Sequence, residues 1–218
     1  MISVLAPSRG RPAALQEMAD SAHRMAHGPV EILAYIDDDD PCDYQTVGVR
    51  IVRGPRITLS DCWNKLADIA EGDILGMGAD DIRFRTSGWD SLISGVFDDF
   101  PDRIVFVHGR DGIHDEKLAT HGFISRRWFE TVGYFTWGGF PADYADTWLH
   151  ELAGRIGRRV FVPSLMIEHL HPIARKAEWD QTHRERLARG REANVAQIWD
   201  DLEGQRIEDA EKLEAACW

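Results

Sequence analysis

Asp73-Ile-Leu-Gly-Met-Gly-Ala-Asp80-Asp81-Ile-Arg-Phe84 is an apolar run that ends in two adjacent carboxylates and then turns apolar again. Residues 74–77 predict a short buried strand, and Gly78 lets another backbone approach closely. The two acids then stand at the carboxyl end of a strand, the edge where open α/β sheets bind ligands. Hard divalent ions such as Mg²⁺ or Mn²⁺ take carboxylate oxygens and bridge to diphosphates. A solvated turn is the competing reading, because aspartate favours turns. The flanking segments decide between them.

Upstream, Ile2 to Ala6 predicts a buried first strand, closed by the turn Pro7-Ser8-Arg9-Gly10-Arg11-Pro12. Leu15, Met18, Ala19, Ala22 and Met25 then recur at helical spacing. Val30 to Ile36 predicts a second strand that runs into Asp37-Asp38-Asp39-Asp40. Four carboxylates at a strand end repel one another, which calls for a partner: a cation, a sugar hydroxyl, a base N–H or backbone amides. An exposed acidic turn is the other reading. Val47 to Val52 is a third strand, and Thr58 with Asp61 caps a helix whose apolar face is Leu59, Cys62, Leu66 and Ile69. Strand, helix, strand, strand, helix, strand is the order of a mostly parallel α/β sheet.

Downstream, a helix begins at Gly88-Trp89, and residues 103–107 predict another strand. Residues 108–121 are polar with two glycines, the composition of a mobile loop over a site. Gly122 to Ser125 leads into a helix over 126–132, followed by a Gly-rich aromatic turn, 134–140. Residues 146–157 form an amphipathic helix with Asp at its start and Gly at its end. A last strand, 159–162, passes through Pro163 to Ile167-Glu168-His169-Leu170-His171-Pro172. From Glu178 onward the pattern is helical, with Val195, Ile198, Trp199 and Leu202 as a packing stripe. The expected organisation is one domain over 1–172 and a C-terminal helical extension over 173–218 packed on it.

With 218 residues, 44% of them hydrophobic and 28% charged, the chain can bury one sizeable core. No apolar run approaches the roughly 20 residues of a membrane span, and no leader pattern opens the chain, so a cytoplasmic protein is expected. Three scattered cysteines suggest neither a disulfide framework nor a zinc site. A net charge of −12 argues against a protein that coats nucleic acid.

This order of features resembles the nucleotide-sugar glycosyltransferases of the GT-A fold, in particular the compact phage and bacterial type of the family 2-like group. The resemblance covers residues 2–172. Residues 2–12 look like that family's first strand and nucleotide-binding turn, and residues 30–39 like its second strand ending in acids that meet the nucleoside. Trp63-Asn64 followed by Ala70-Glu-Gly-Asp-Ile-Leu75 and Ala79-Asp80-Asp81 resembles the helix and strand leading to its D-x-D element. Ser125 to Phe135 is similar to its S-R-x-x-F-x-x-V-G-x-F block, and Asp146-Thr-Trp-Leu149 to its E-D-x-x-L block. Three departures stand out. The acidic element is Ala-Asp-Asp, Trp63 occupies a position where arginine is frequent, and Ala145 replaces a glutamate.

The resemblance implies a nucleoside-diphosphate sugar as donor, a UDP-sugar first among them, with Mn²⁺ or Mg²⁺ as cofactor. Asp81 would ligate the metal, Asp80 would belong to the metal shell or meet the ribose, and His169 would be a late metal ligand. Pro7, Ser8, Arg9, Arg11, Asp37, Asp38, Asp39, Asn64 and Asp80 would bind the nucleotide. Asp146 would be the general base, giving inversion at the anomeric carbon, with Asp143 as reserve. As a plain helix residue Asp146 would be an N-cap. Trp137 and Trp148 are candidates for stacking on sugar or acceptor. Between residues 155 and 191 nine basic residues face four acids, which suggests an anionic acceptor, Arg184 among its contacts. Phage DNA carrying hydroxymethylpyrimidines fits such a face, as against a neutral cell-surface glycan or lipid acceptor. A nucleotidyltransferase and a non-catalytic sugar-nucleotide-binding module are the remaining classes.

Overall fold

The computed structural model describes residues 1–218. In chain order its first elements are β1 (Ile2–Ser8), α1 (Pro12–Met25), β2 (Val30–Asp37), β3 (Arg50–Gly54), α2 (Leu59–Ile69), β4 (Ile74–Met77), β5 (Ile82–Phe84) and α3 (Trp89–Asp98). They continue with β6 (Phe106–Arg110), β7 (Gly122–Ser125), α4 (Arg126–Val132), α5 (Ala145–Arg155), β8 (Arg159–His169), α6 (Gln181–Glu192), α7 (Val195–Asp201) and α8 (Glu203–Ala216).

Successive side chains of a strand point to opposite faces, so alternation along the inner strands creates two apolar layers. Ile2, Val4 and Ala6 of β1 join Ile32, Ala34 and Ile36 of β2 in a layer covered by α1 and α3. Leu5, Leu33 and Tyr35 enter the opposite layer with residues of α2, α4, α5 and α8. The strands form one mixed sheet in the order β3-β2-β1-β4-β7-β6-β8-β5. β1, β2, β3 and β4 run parallel, and β7 is the antiparallel strand inserted beside β4. This is an α/β architecture, as the strand and helix order predicts.

The close approach expected at Gly78 is present. Its N–H donates to Leu5 O over 2.8 Å, and an added Cβ would lie 2.6 Å from Val4 Cγ1. Trp63 uses its indole N–H on Leu5 O and Gly78 O, filling the space beneath the two strand ends. The predicted α2 cap also forms, with Thr58 Oγ1 accepting Asp61 N–H at 3.1 Å.

Four differences from the sequence reading lie in the strands and the segments between them. β3 begins at Arg50 rather than Val47. β6 starts at Phe106, not 103, because Arg103 is left-handed (φ 59°) and the Asp102 carboxylate takes the Ile104 N–H. The polar segment 108–121 is not an open loop. It begins inside β6, and Asp111 Oδ1 gathers the N–H groups of Ile113, His114 and Asp115 at 2.7–2.9 Å while Oδ2 accepts from Thr120.

The fourth difference builds the site. Pro163 does not end the last strand. β8 runs 11 residues through it, because the register with β6 slips between His108 and Arg110, where Phe161 and Met166 are the respective partners. A proline fits at such an irregularity, where no ladder hydrogen bond is required. Beyond the slip, β8 pairs antiparallel with β5, Ile82 opposite His169. That register sets His169 beside Asp81, the residue preceding Ile82.

At the C-terminus, α6 begins at Gln181 rather than 178, with Asp180 as its N-cap. α8 lies against α4 and α5, and Arg206 stacks 3.9 Å from the Trp199 ring.

Candidate active site

A cleft opens at the carboxyl ends of β1, β2 and β4, with α6 lying across it. Asp80 is buried at its floor. Ser8 Oγ donates to Asp80 Oδ2 at 2.7 Å and Arg11 Nη1 donates to Oδ1 at 3.1 Å. Burial and the neighbouring Asp81 charge raise the Asp80 carboxyl above the usual carboxylate range. Asp81 is pushed the other way: burial would raise it, but the hydrogen bond and charge of His169, with His121 and Arg11, hold it below the usual carboxylate range. Asp81 Oδ2 lies 3.5 Å from His169 Nε2 and 3.9 Å from both Arg11 Nη1 and His183 Nε2.

Three further imidazoles surround this point. His121 is buried, its Nε2 without a partner, and its ring meets His169 edge-on at 4.8 Å. Burial lowers His121 to about 3 and His171 to about 4, so both are neutral at pH 7. His169 Nδ1 is likewise buried and unpartnered. Two donors 3.5 Å apart fit neighbouring positions on one divalent ion, and the diphosphate and water would supply the rest, as is usual for Mg²⁺ and Mn²⁺ at phosphates. Asp81 and His169 therefore fit such an ion. No three carboxylate, imidazole or thiol groups converge on one point as the side chains lie.

The run of four aspartates is shared out. Asp37 faces the cleft and accepts from Arg9 Nη1 at 2.9 Å, with Arg56 Nε at 3.8 Å. Asp39 is exposed and pairs with the same Arg9. Asp40 turns inward, accepting from Gly10 N–H (2.7 Å), Tyr44 hydroxyl (2.8 Å) and Cys42 N–H (3.0 Å). Asp38 is exposed and off the cleft wall. Pro7, Ser8, Arg9, Arg11, Asp37, Asp80, Asp81, Asp143, Asp146 and His169 all line the cleft.

Four other expected residues do not. Asn64 faces away from the cleft. Its Oδ1 accepts the N–H groups of Phe135 and Thr136, and its Nδ2 donates to Thr136 O. Replacing it by Ala orphans three backbone groups, at a net cost of about 1–3 kcal/mol for a buried group left unpaired. Asn64→Ala is thus expected to lower the melting temperature while leaving nucleotide affinity of the folded protein unchanged, measured by calorimetry and a binding titration. Trp148 is a fully buried core aromatic, and half-buried Trp137 packs on Phe140 and Trp148 at the edge of that core. Arg184 is spent on Trp179 O at an exposed position.

The positive surplus of residues 155–191 is partly neutralised within the fold. Arg155 pairs with Glu151 and Glu203, Arg158 with Asp102, Lys176 with Glu168 and Arg186 with Asp143. Arg189 donates to Ile57 O.

Asp146 is not a helix cap. Tyr144, left-handed at φ 74°, occupies that position, and Asp146 stands within the first turn of α5. Its hydrogen bonds come from Thr147 alone, both to Oδ1. It has no cationic partner, and desolvation raises its pKa. Asp143, across the same wall, is tied to Arg186.

The cleft residues that sequence reasoning missed are chiefly His121, His183 and Arg56, while Arg186 and Arg189, counted only in a basic acceptor-facing segment, also line it. None stands in a motif. His183 follows Asp180 at capping distance, a local signal that says nothing of what the ring faces.

No family profile and no curated protein sequence matches the chain. Solved structures do. A mannosyltransferase from Pyrobaculum calidifontis, in complex with GDP-Man and Mn²⁺, superposes with a TM-score of 0.62 at 11% identity, over 99% of this chain and 73% of that one. Glucosyl-3-phosphoglycerate synthase from Mycobacterium tuberculosis, in complex with Mn²⁺, UDP and phosphoglyceric acid, matches with a TM-score of 0.58 at 17% identity, over 78% of this chain and 71% of that one. A mycobacterial protein matches at 0.58 and 16% identity, over 78% and 68% of the two chains. The chain has the GT-A fold.

Proposed function

We propose that the protein is a divalent-metal-dependent glycosyltransferase that moves a sugar from a nucleoside diphosphate to an acceptor hydroxyl. The observation that carries this reading is the meeting of Asp81 and His169 in a cleft that is also lined by Asp146, which has no cationic partner. That two solved structures of this fold were obtained with a nucleotide or nucleotide sugar and Mn²⁺ supports it.

Asp81 and His169 would hold the ion, which when bound offsets the negative charge that gathers on the leaving diphosphate. Arg9, already beside Asp37, and Ser8 and Arg11, already on Asp80, frame the nucleotide end. Asp146 Oδ2 takes the proton of the acceptor hydroxyl as its oxygen bonds to the anomeric carbon and the bond to the diphosphate breaks. Direct displacement of this kind inverts that carbon. The ion pair with Arg186 ties down Asp143 and favours Asp146 as base. The raised pKa of Asp146 suits it to receive a proton.

The acceptor reading changes with the structure. Internal pairing of four of the nine basic residues of 155–191 reduces the positive face available to a DNA duplex carrying hydroxymethylpyrimidines. A panel of nucleotide sugars incubated with Mn²⁺, with Mg²⁺ and with EDTA tests the proposal. Release of nucleoside diphosphate from one donor, abolished by EDTA and restored by the ion, is expected. Full turnover in verified metal-free protein, or no hydrolysis or transfer with any donor, would overturn it.

A further inference from the structure

We infer that His183, carried by α6, is a third protein ligand for the divalent ion of the proposed site, so that loading the ion and seating α6 over the cleft are coupled. This rests on the reading that Asp81 and His169 hold a metal.

Both imidazoles address the same carboxylate oxygen with the same ring atom. His169 Nε2 and His183 Nε2 lie 3.5 Å and 3.9 Å from Asp81 Oδ2. Around a six-coordinate ion with bonds of roughly 2.1 Å, adjacent ligands stand about 3 Å apart and opposite ones about 4.2 Å. Both separations from Asp81 fall between these limits, and the three groups do not converge as the side chains lie because Arg11 stands among them. His183 is 5% exposed, so its ring is placed by the fold and not by solvent.

The groups behind the ring set its chemistry. His183 Nδ1 lies 2.7 Å from Asp180 Oδ1, and the same oxygen accepts the His183 backbone N–H at 2.9 Å. With its Nδ1–H on Asp180 the ring leaves the Nε2 lone pair toward Asp81, the arrangement that orients metal-ligating histidines, while Arg11 Nη2 also stands 2.7 Å from Nδ1. Asp180 thus caps α6 and aims its histidine at once.

Arg11 is the cation now standing between these groups. Its Nη2 is 3.2 Å from His183 Nε2 and its Nη1 is 3.9 Å from Asp81 Oδ2. Arg11 also bonds Asp180 through Nε and Nη2, each at 2.7 Å, and Asp80 through Nη1 at 3.1 Å. Three carboxylates around one guanidinium leave a formal surplus of two negative charges, which a divalent ion matches. For the ion to bind, Arg11 would withdraw onto Asp80 and Asp180, which it already contacts. Two imidazoles with one carboxylate also favour Mn²⁺ over Mg²⁺, since nitrogen donors suit the transition ion better.

The test is Mn²⁺ binding to the full chain without nucleotide, read from the spin-resonance signal of free Mn²⁺, with amide exchange of residues 181–192 measured in parallel. In wild type, Mn²⁺ should slow exchange across α6. His183→Phe keeps a ring against His171 and Trp179 but offers no ligand. It should bind Mn²⁺ about tenfold or more weakly and lose the Mn²⁺-dependent protection at an unchanged melting temperature. His183→Gln serves if the Phe variant does not fold. Wild-type Mn²⁺ affinity in the folded variant, with binding lost in Asp81→Asn, would overturn this inference and leave the glycosyltransferase reading standing. Failure of wild type to bind Mn²⁺, with or without a nucleoside diphosphate, would overturn the inference and the metal reading together.

Discussion

Asp81→Asn is expected to lower turnover by about 10³-fold and to remove the metal dependence of nucleotide binding. The metal as a Lewis acid supplies several kcal/mol of charge stabilisation, and each 1.36 kcal/mol is roughly a tenfold rate. An amide of the same size keeps the packing but lacks the anionic oxygen that His169 and His183 both face. A titration of nucleoside diphosphate with and without Mn²⁺, beside the rate measurement, checks the expectation. A variant that keeps Mn²⁺-dependent binding would remove Asp81 from the metal. Asp80→Asn should be milder, because Asp80 spends its oxygens on Ser8 and Arg11.

Asp146→Asn should reduce kcat by about 10²–10⁴-fold, the range for a positioned proton acceptor, while donor affinity stays near wild type. Its stability should move the opposite way. Burial raises the folded-state pKa of Asp146, so folding disfavours the ionised form. The carboxylate therefore subtracts stability at pH above its folded value, and the subtraction fades as pH falls toward the unfolded value. At pH 8 the Asn variant should melt no lower than wild type. Such a loss of rate without loss of stability marks a group kept for function at a cost to the fold. A variant whose only defect is a lower melting temperature would make Asp146 structural.

Much of this architecture was legible because its signals are local. The apolar run before Asp80, the Thr58 cap and the helical spacing of Leu15 to Ala22 each depend on neighbours a few positions away. The same holds for the acids at strand ends, since a strand's direction determines which edge they reach. The continuation of β8 through Pro163 was not legible, because what accommodates the proline is a slip in register against β6, and register belongs to a pair of strands. The roles of Asn64 and Trp148 failed for a related reason. Each side chain is committed to a partner brought near only by the fold. His121 and His183 carry no motif, and only the closed sheet and α6 bring them to Asp81. The basic tally of residues 155–191 was correct as a count but overstates the free surface, since Arg155, Arg158 and Arg186 meet carboxylates distant in sequence and Lys176 meets Glu168.

The two-way pairing of β8, parallel to β6 and antiparallel to β5, bears on how the molecule comes to exist. Asp81 and His169 are about ninety residues apart, and their meeting waits on a strand edge completed late in synthesis. Such high-separation contacts lose much chain entropy before they return any binding energy, and they slow folding. A growing chain released only as far as α5 would already own the nucleotide turn of β1 and the acids of β4, yet have nothing to close the coordination sphere. Activity should therefore appear in a single step once β8 and α6 have left the ribosome, with no partly competent precursor before it.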